Sequence, residues 1–461
     1  MAGLLCWQGA VAAQTASPVS YGVGADTFHP VKEQHGMVAS VDATATQVGV
    51  AILKQGGNAV DAAVAVGYAL AVTHPQAGNL GGGGFMMIRT ASGHTTSIDF
   101  REMAPTRASR DMFLDAQGNA DSKKSLTSHL ASGVPGTVAG FALANKEYGT
   151  LPLSKLIAPA IRLADKGIVV NESLADDLKV YGKEVLLSHD NSKAIFFKPD
   201  GTPYLRGEKL VQRNLAHSLT LIAKLGPDAF YKGAIAEQIA KEMAANGGLI
   251  DKADMANYKA AEIKPGKLAP YESNQTTHFS VVDKQGNAVA VTYTLNTNFG
   301  SGIVAVNSGI LMNNEMDDFS ARPGTPNVYG LVGGEANAVQ PYKRPLSSMS
   351  PTIVAKDGKT WLVTGSRIIT TVLQMVVNSI DYGMNIAEAT AAPRFHHQWL
   401  PDQLRVEKGF SPDTLKLLEA KGQHVKVLPA MGSTQSIMIG PDGTLYGASD
   451  PRTIDDLTAG Y

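Results

Sequence analysis

One short polar segment combines the residue types that a self-cleaving, nucleophilic enzyme needs. The segment Tyr271–His278 reads YESNQTTH, and its polar run gives way to a predicted strand at Thr276. If the chain is cut before Thr276, that residue carries both a hydroxyl group and a free α-amine with a pKa of about 8. The amine can then act as general base for the hydroxyl group of the same residue, which is otherwise a weak nucleophile at neutral pH. The ordinary alternative is a loop that enters a strand through a β-branched residue.

Three later segments carry groups that suit such a nucleophile. A predicted hairpin begins after Thr276 and returns its second strand beside the first, which brings Thr294 or Asn296 back toward it. The acidic run Glu315–Asp318 follows an apolar strand and suits a substrate ammonium group. The segment Arg344–Ser350 supplies hydroxyl groups before another strand. Taken singly, the three segments also read as a strand-end threonine, a solvated acidic loop and a serine-rich turn.

Three other patterns are weak evidence of a site. The glycine run in Asn79–Gly84 lies between a predicted helix and a predicted strand, whereas a phosphate loop follows a strand, opens a helix and continues with Lys-Ser or Lys-Thr. It predicts a tight turn with close backbone packing instead. His396 and His397 are adjacent in an extended segment and point to opposite faces, so no metal site is predicted. A Ser-His-Asp hydrolase rests on composition alone, because no Gly-x-Ser-x-Gly elbow follows a strand.

Four predicted β-hairpins and several helices must position these residues. The hairpins pair 85–89 with 96–100, 279–283 with 288–294, 351–355 with 361–365, and 436–439 with 445–446. Helices are predicted within 38–75, where Asp42 is a cap and Gly56–Asn58 a break, and also at 216–225, 235–245, 371–380 and 412–421. Helices grouped around antiparallel sheets predict a layered α+β fold.

The composition limits the class of protein. The chain has 461 residues, of which 44% are apolar, so a sizeable core is expected. Lys and Arg number 40 and Asp and Glu number 41, a balance that does not favour nucleic acid or an anionic membrane as a partner. No apolar run after the first residues is long enough to predict a membrane-spanning helix.

The amino-terminal residues predict export. Residues 1–13 are short and apolar and end in the small residues Ala12 and Ala13, which is typical of a secretory signal peptide, although the positively charged front is missing. The alternative is a frayed or truncated end. The single cysteine, Cys6, lies inside this segment, so a mature chain would contain no disulfide, no thiol nucleophile and no thiolate metal site.

Several segments together resemble the bacterial γ-glutamyltranspeptidases, also called glutathione hydrolases. The shared marks read GNAVDAAVA, HPQAGNLGGGGF, DFREMAP, ESNQTTH, NNEMDDF, KRPLSSMSPT and STQS, and the resemblance covers nearly the whole chain. It implies an α+β fold, a four-layer αββα sandwich of the N-terminal-nucleophile hydrolase type, without a cofactor or a metal. It also implies autocleavage between Gln275 and Thr276. The resulting parts, 14–275 and 276–461, would form one αββα unit as a heterodimer.

The resemblance also implies roles for single residues. Thr276 would be the nucleophile, Thr294 would orient it, and Tyr329 would belong to a lid over 323–334. The residues expected to hold the γ-glutamyl group are Arg101, Asn296, Glu315, Asp318, Ser347 and Ser348. Of these, Arg101 with the two serines would bind the α-carboxylate, and the other three the α-amino group.

The implied reaction passes the γ-glutamyl group of glutathione and related compounds to a second molecule. The acceptor is water or the amine of an amino acid or peptide, and the route is an ester on Thr276. The resemblance places the reaction in the periplasm or outside the cell.

Two departures from the family pattern leave two functional classes open. The residues Thr364–Ser366 run straight into Arg367 and Ile368, where the family has Pro-Gly-Gly-Ser in between. The two missing glycines are those whose backbone N–H groups the family uses as its oxyanion hole. Near Ala260, a long family segment with helices and a Pro-Ser-Ser-Gly-Gly turn is also absent. The chain is therefore either an active γ-glutamyl transferase and hydrolase or a catalytically impaired relative that only binds γ-glutamyl compounds.

Overall fold

The structure is a computed structural model that describes residues 28–263, 276–327, 330–366 and 369–461. The predicted signal peptide, Gln275 and Tyr329 lie outside these residues.

The strands of the described residues are β1 Val31–Glu33, β2 Gly36–Ser40, β3 Gly83–Arg89, β4 Thr95–Asp99, β5 Ile168–Val169, β6 Lys209–Leu210, β7 Ala261–Ile263, β8 Thr277–Asp283, β9 Ala288–Thr294, β10 Thr352–Lys356, β11 Lys359–Thr364, β12 Phe395–His396, β13 Leu404–Glu407, β14 Val425–Leu428, β15 Ser436–Ile439, β16 Leu445–Ala448 and β17 Leu457–Gly460. The helices are α1 Ala43–Lys54, α2 Ala59–Thr73, α3 Ser122–Leu126, α4 Thr137–Tyr148, α5 Leu153–Lys166, α6 Glu172–Asp177, α7 Lys183–Val185, α8 Asp190–Phe196, α9 Arg213–Leu225, α10 Asp228–Tyr231, α11 Ala234–Ala245, α12 Lys252–Asn257, α13 Ile369–Ile380, α14 Ile386–Ala391 and α15 Pro412–Ala420.

Two antiparallel sheets form the centre of the molecule. Within the described residues, one sheet has seven strands in the order β17-β2-β8-β9-β3-β4-β7, and the other has five in the order β1-β16-β15-β11-β10. The larger sheet joins strands from both sides of the Gln275–Thr276 junction, because β8 pairs with β2 and β9 pairs with β3. Thr276 therefore directly precedes a central strand of this sheet.

Helices cover the outer faces of the two sheets. Helix α2 is buried along its whole length and packs against β8 and β9, as expected of a helix that is apolar on every side. The inner faces of the sheets meet in an apolar layer that includes Val282 and Ala290 from one sheet and Val363 and Ile437 from the other. Helices α13 and α14 pack on the outer face of the smaller sheet. The order of layers is helix, sheet, sheet, helix, which confirms the predicted αββα sandwich.

Most of the predicted elements are confirmed. All four hairpins form, as β3–β4, β8–β9, β10–β11 and β15–β16. Asp42 caps α1 through a hydrogen bond that its side chain accepts from Ala45 N. The prediction that helix begins at residue 38 is wrong, because Gly36–Ser40 forms β2, buried between β17 and β8. So short an apolar run carries no periodicity that separates strand from helix.

Among the residues that the structure describes, none of the helices is both long enough and apolar enough to cross a membrane.

Candidate active site

Thr276 lies directly before β8, a central strand of the seven-stranded sheet. The next residue, Thr277, pairs with Tyr293 near the end of β9, so the residues that follow Tyr293 lie beside Thr276. Thr276, Thr294 and Asn296 line one small cavity of about 10 Å³. Thr276 is only 6% exposed. The hairpin therefore brings the predicted nucleophile and the residues predicted to assist it to one place.

Hydrogen bonds fix Thr294, the last residue of β9, and Asn296, two residues later. The backbone N–H of Asn296 donates to Thr294 Oγ1 at 2.9 Å, and Asn296 Nδ2 donates to the carbonyl oxygen of Asn314 at 3.0 Å. Asn79 Nδ2 donates to the carbonyl oxygen of Thr294 at 2.8 Å. Asn296 has a φ of 79°, a left-handed conformation that asparagine adopts more readily than most residues. These contacts hold Asn296 between Thr276 and the acidic segment that begins at Glu315.

The glycine run supports this arrangement through close backbone contact. A Cβ atom on Gly82 would lie 2.0 Å from the carbonyl oxygen of Thr294, and one on Gly81 would lie 2.0 Å from that of Leu311. Both distances are far below van der Waals contact, so neither position has room for a side chain. The predicted close packing of this run is confirmed.

His278 links the nucleophile to the loop that departs from the family pattern. Its imidazole is buried, with Nδ1 2.8 Å from Thr292 Oγ1 and Nε2 3.1 Å from Ser280 Oγ. Burial lowers the pKa of His278 to about 3, so the ring is neutral at physiological pH. A Cβ atom on Gly365 would lie 2.3 Å from this ring. The connection after β11, which is shorter than in the family pattern, therefore packs against His278, two residues after Thr276 in the sequence.

The next residue of that connection is also buried. Ser366 is fully buried, and its Oγ has no hydrogen-bond partner within the described residues. Arg367 and Ile368, which follow, lie outside the described residues. The segment to which the resemblance assigns the oxyanion donors therefore follows Gly365, which packs against His278.

Four charged side chains form a buried cluster on the other side of Asn296. Arg101 donates from Nη1 to Glu315 Oε1 and from Nη2 to Asp318 Oδ2, and Glu102 Oε2 lies 3.5 Å from Arg101 Nη1. Arg101 Nη2 also donates to the carbonyl oxygen of Leu346 at 2.7 Å. All four charged side chains are 1% exposed. We call Arg101, Glu102, Glu315 and Asp318 the acidic cluster.

The acidic cluster contains more carboxyl groups than guanidinium groups. One guanidinium faces three carboxyl groups. Burial raises the pKa of Glu315 and Asp318, and the charge of Arg101 opposes that shift without cancelling it. Burial also raises the pKa of Glu102 to about 8. Five polar atoms of the cluster have no hydrogen-bond partner within the described residues: Arg101 Nε, Glu102 Oε1 and Oε2, Glu315 Oε2 and Asp318 Oδ1.

The two predicted serines adjoin the acidic cluster through Leu346, whose carbonyl oxygen accepts from Arg101. Ser347 Oγ accepts a hydrogen bond from Met349 N at 3.2 Å, and Ser348 is 2% exposed. Asp318 also lines a cavity of about 370 Å³, together with Thr325–Asn327 and Leu331–Gly333 of the predicted lid. The structure therefore gathers the predicted glutamyl-binding residues, but Arg101 is already paired with the two carboxylates expected to share the ligand with it.

Sequence reasoning missed two residues of this region. Glu102 lies inside the DFREMAP segment, directly after Arg101, and a carboxylate beside a predicted substrate-binding arginine was the available signal. His278 gave no signal, because its neutral, buried state depends on residues from β8, β9 and the loop after β11. No group of three or more His, Cys, Asp or Glu residues able to hold a metal ion was found in the described ranges.

The raised pKa of Glu102 predicts a pH-dependent stability. Between pH 4.5 and about 8, the unfolded chain loses the Glu102 proton while the folded chain retains it, so this residue lowers the free energy of unfolding as the pH rises through that window. Glu102→Gln removes the titration, and its amide can donate to the unpartnered carboxylate oxygens. We expect the variant to gain stability relative to the parent between pH 4.5 and 8, measured by urea denaturation. Glu184→Gln, at an exposed position, is the control. A stability difference between Glu102→Gln and the parent that stays constant across this pH range would refute the raised pKa of Glu102.

The αββα fold, with Thr276 directly before a central strand, is the fold type of the hydrolases with an amino-terminal nucleophile. The structure superposes on a crystal structure of cephalosporin acylase from Bacillus halodurans with a TM-score of 0.82, covering 97% of this chain and 99% of that chain at 24% identity. At that identity the likeness concerns the fold.

Sequence comparison identifies the family. The model of the family described as gamma-glutamyltranspeptidase matches residues 45–269 and 261–460. The glutathione hydrolase proenzyme of Escherichia coli (strain K12) is 63% identical over 559 aligned positions, covering 98% of this chain and 96% of that protein. The glutathione hydrolase proenzyme of Pseudomonas sp. (strain A14) is 41% identical, covering 98% and 99%. The chain belongs to the γ-glutamyltranspeptidase family.

The same comparisons bear on the departures from the family pattern. The alignment with the Escherichia coli protein has 559 positions although this chain has 461 residues, so the chain lacks residues at many positions that this relative has. The two matches to the family model meet at residues 261–269. These residues follow Ala260, near which the sequence predicts a shortened segment.

Proposed function

We propose that this chain is a γ-glutamyltransferase and glutathione hydrolase that cleaves itself between Gln275 and Thr276. The observation that carries the proposal is the position of Thr276, at the start of a central strand and beside Thr294 and Asn296, in a chain of this family. The fragments 14–275 and 276–461 stay together as one αββα unit. The catalytically impaired relative is the second candidate, because the segment after Ser366 lacks the family's two glycines.

The chemistry follows from a threonine with a free α-amine. Thr276 Oγ attacks the γ-carbonyl carbon of the donor while the α-amine accepts the hydroxyl proton. The bond to the leaving amine breaks, the leaving amine takes up the proton, and the γ-glutamyl group remains as an ester on Thr276. Water or an acceptor amine then attacks the ester carbon, and the bond to Thr276 Oγ breaks. Thr294 orients the hydroxyl group of Thr276 through this cycle.

The free positions of the acidic cluster suit the α-carbon of a glutamyl group, which carries one ammonium and one carboxylate. Glu315 Oε2 and Asp318 Oδ1 are unpartnered acceptors for the ammonium group, and Asn296 adds a polar side chain nearby. Arg101 Nε is an unpartnered donor for the carboxylate, with Ser347 and Ser348 beside it. Charge-assisted hydrogen bonds of this kind are the strong ones in protein interiors. The lid that would close over the ligand includes Tyr329.

We also propose that the protein works in the periplasm or outside the cell, because residues 1–13 have the pattern of a signal peptide.

Two anilides that differ only in linkage test the proposed function. The chain should release nitroaniline from the γ-glutamyl anilide but not from the α-glutamyl anilide, since the acidic cluster needs a free α-ammonium and α-carboxylate together. If neither anilide reacts but γ-glutamyl compounds bind, the impaired relative is the correct class. Equal reaction of both anilides would refute recognition of the γ linkage.

Arg101→Ala is expected to weaken γ-glutamyl binding by roughly ten- to a hundredfold, because one charge-assisted contact contributes about 1.5–3 kcal/mol. Calorimetry with a γ-glutamyl ligand measures the effect. Arg101→Lys is the matched control for charge, since it retains the cation but loses the guanidinium geometry. Unchanged affinity in a folded Arg101→Ala variant would remove Arg101 from the site.

A further inference from the structure

A large cavity lies at the end of the sandwich opposite Thr276. Its volume is about 760 Å³, and all four hairpins, β3–β4, β8–β9, β10–β11 and β15–β16, contribute their turns to its lining. Strands β8 and β9 have seven residues each and connect the Thr276 end to this end over roughly 20 Å. None of the predicted catalytic or glutamyl-binding residues that the structure describes lines it. We call the space between these four turns the distal cavity.

The turns around the distal cavity are tied to one another. Arg89, at the end of β3, donates from Nη2 to the carbonyl oxygen of Gly358 in the β10–β11 turn at 2.6 Å, and from Nη1 to that of Gly93 in its own hairpin at 3.0 Å. The backbone N–H of Ala91 donates to Asn287 Oδ1 at 2.8 Å, which joins the β3–β4 and β8–β9 turns. These bonds hold the rim of the cavity in place across both sheets.

Three cationic side chains line the distal cavity: Arg89, Lys356 and Lys359. The two lysines are exposed, and within the described residues their ammonium groups have no hydrogen bond or ion pair. In the same part of the chain, Arg89 donates only to carbonyl oxygens and to the hydroxyl group of Thr95, so no carboxylate neutralises it. The cavity therefore presents three positive charges that lack a bonded anion.

Two carboxylates also line the cavity, and the turns themselves account for both. Asp442 accepts hydrogen bonds from the backbone N–H and the hydroxyl group of Thr444, at 3.0 and 2.8 Å, and so closes its own turn. Asp357 and Gly358 have φ values of 50° and 77°, the left-handed pair that a two-residue hairpin turn needs and that Asp-Gly supplies. With three cations against two carboxylates, the lining stays net positive.

A second observation is that the two lysines repel each other. They form the last pair of the β10–β11 ladder, with Lys356 directly opposite Lys359, and like charges in that arrangement destabilise a sheet. A lysine on an edge strand such as β10 guards against pairing with other chains, but Lys359 lies on β11, between β10 and β15. The fold does not explain this pair, and an anion bound between the two ammonium groups would offset their repulsion.

An apolar surface completes the distal cavity. The half-buried Trp361 lines it together with Ile439 and Pro441, and an indole ring offers a flat face against which an aromatic ring can stack. The volume of the cavity lies within the range of about 300–1,000 Å³ that is usual for small-molecule sites. Cations and an aromatic face around such a volume suit an organic anion better than a single inorganic ion.

We propose that the distal cavity binds a small organic polyanion with an aromatic body. Its anionic groups face Lys356, Lys359 and Arg89, and its ring lies against Trp361. The site is separate from glutamyl transfer both in position and in chemistry, so this inference goes beyond the proposed function and does not depend on it.

Four benzene derivatives that differ in charge test the proposal. Benzamide, benzoate, isophthalate and trimesate share one ring and carry no, one, two and three carboxylates. We expect the affinity to increase about two- to fivefold with each added carboxylate, as partly exposed charge pairs allow, and these increments to shrink as salt is added. Propane-1,2,3-tricarboxylate, which has three carboxylates but no ring, should bind more weakly than trimesate. Calorimetry on the whole chain measures the five affinities.

Lysine variants test whether the charges of the cavity are responsible. Lys356→Gln and Lys359→Gln should each weaken trimesate binding by about two- to fivefold and leave benzamide binding unchanged. Because each substitution also removes the repulsion within the pair, neither should lower the midpoint of urea denaturation. Lys284→Gln is the matched control, since it removes an exposed lysine of the β8–β9 turn that lies outside the cavity lining. It should leave the affinity for trimesate unchanged.

Tryptophan fluorescence locates the bound ligand. Trp361 lines the cavity, and Trp399, the other tryptophan in the described residues, does not. Trimesate should therefore change the fluorescence of the parent protein. The change should be lost in Trp361→Phe, which retains an aromatic face and hence most of the affinity.

Three results would overturn the proposal. The first is a set of affinities that does not follow the number of carboxylates, or trimesate binding that survives Lys356→Gln and Lys359→Gln combined. The second is a fluorescence change that persists in Trp361→Phe. The third is binding to phosphatidylglycerol vesicles that trimesate does not displace, which would assign the cations to a membrane surface instead. Each result can be distinguished from failure of the anilide test, because the distal cavity contains none of the described residues proposed for catalysis.

Discussion

Insertion of Pro-Gly-Gly-Ser between Ser366 and Arg367 is expected to raise turnover of a γ-glutamyl anilide by at least about 10²–10³-fold, because each lost oxyanion donor typically costs that much in rate. Acyl transfer places negative charge on the carbonyl oxygen, and the two glycines to which the family resemblance assigns the stabilising backbone N–H groups are absent between Ser366 and Arg367. The site of insertion is close to the reaction, since Gly365 packs against His278, two residues after Thr276.

A second insertion provides a matched control. Pro-Gly-Pro-Ser restores the same length but removes one backbone N–H group, because proline has none. We expect it to recover much less turnover than Pro-Gly-Gly-Ser, with folding and cleavage at Thr276 checked in each variant. Fast turnover by the unaltered chain, with no gain from the insertion, would show that the oxyanion donors were assigned wrongly. If every version is folded and cleaved but inactive, the shortened segment near Ala260 is the more serious loss.

Thr276→Ala is expected to abolish maturation. Self-cleavage requires the Thr276 hydroxyl group to attack the preceding peptide bond, and alanine has no nucleophile. On a denaturing gel, the parent should yield a fragment whose amino-terminal sequence starts at Thr276, whereas the variant should remain one chain.

Thr276→Ser is the matched control, because it keeps the hydroxyl group and loses only a methyl group, so it should still be cleaved. Each protein on this gel should also be tested for hydrolysis of the γ-glutamyl anilide. A parent chain that hydrolyses γ-glutamyl substrate while remaining uncleaved would refute the mechanism, since the α-amine that serves as base would not exist. Cleavage of Thr276→Ala at the same bond would also refute it.

The hairpins could be predicted because residues close together in the sequence determine them. Each consists of apolar runs around a glycine-containing turn, and the pairing that follows places Thr294 beside Thr276. Strand β2 could not be predicted, because its short apolar sequence becomes a strand only through the neighbours β8 and β17. Local pattern therefore identified the elements wherever a turn accompanied them.

The charges at the site illustrate the limit of sequence reasoning. The sequence shows that Arg101, Glu315 and Asp318 carry opposite charges suited to the two ends of an amino acid. It does not show that these side chains are buried together and bonded to one another, nor that Glu102 joins them. Burial and mutual distance come from long-range packing, and those two quantities decide which groups stay charged.

The mixed origin of the seven-stranded sheet changes the molecularity of unfolding. Before a break at Thr276, all seven strands belong to one molecule, so unfolding is unimolecular and its midpoint does not depend on protein concentration. After a break, β2, β3, β4 and β7 belong to one polypeptide and β8, β9 and β17 to another. Refolding then becomes an encounter between two chains, and the midpoint rises with concentration by mass action. A single cut that leaves the folded molecule in place thus turns a reversible folding reaction into a subunit assembly.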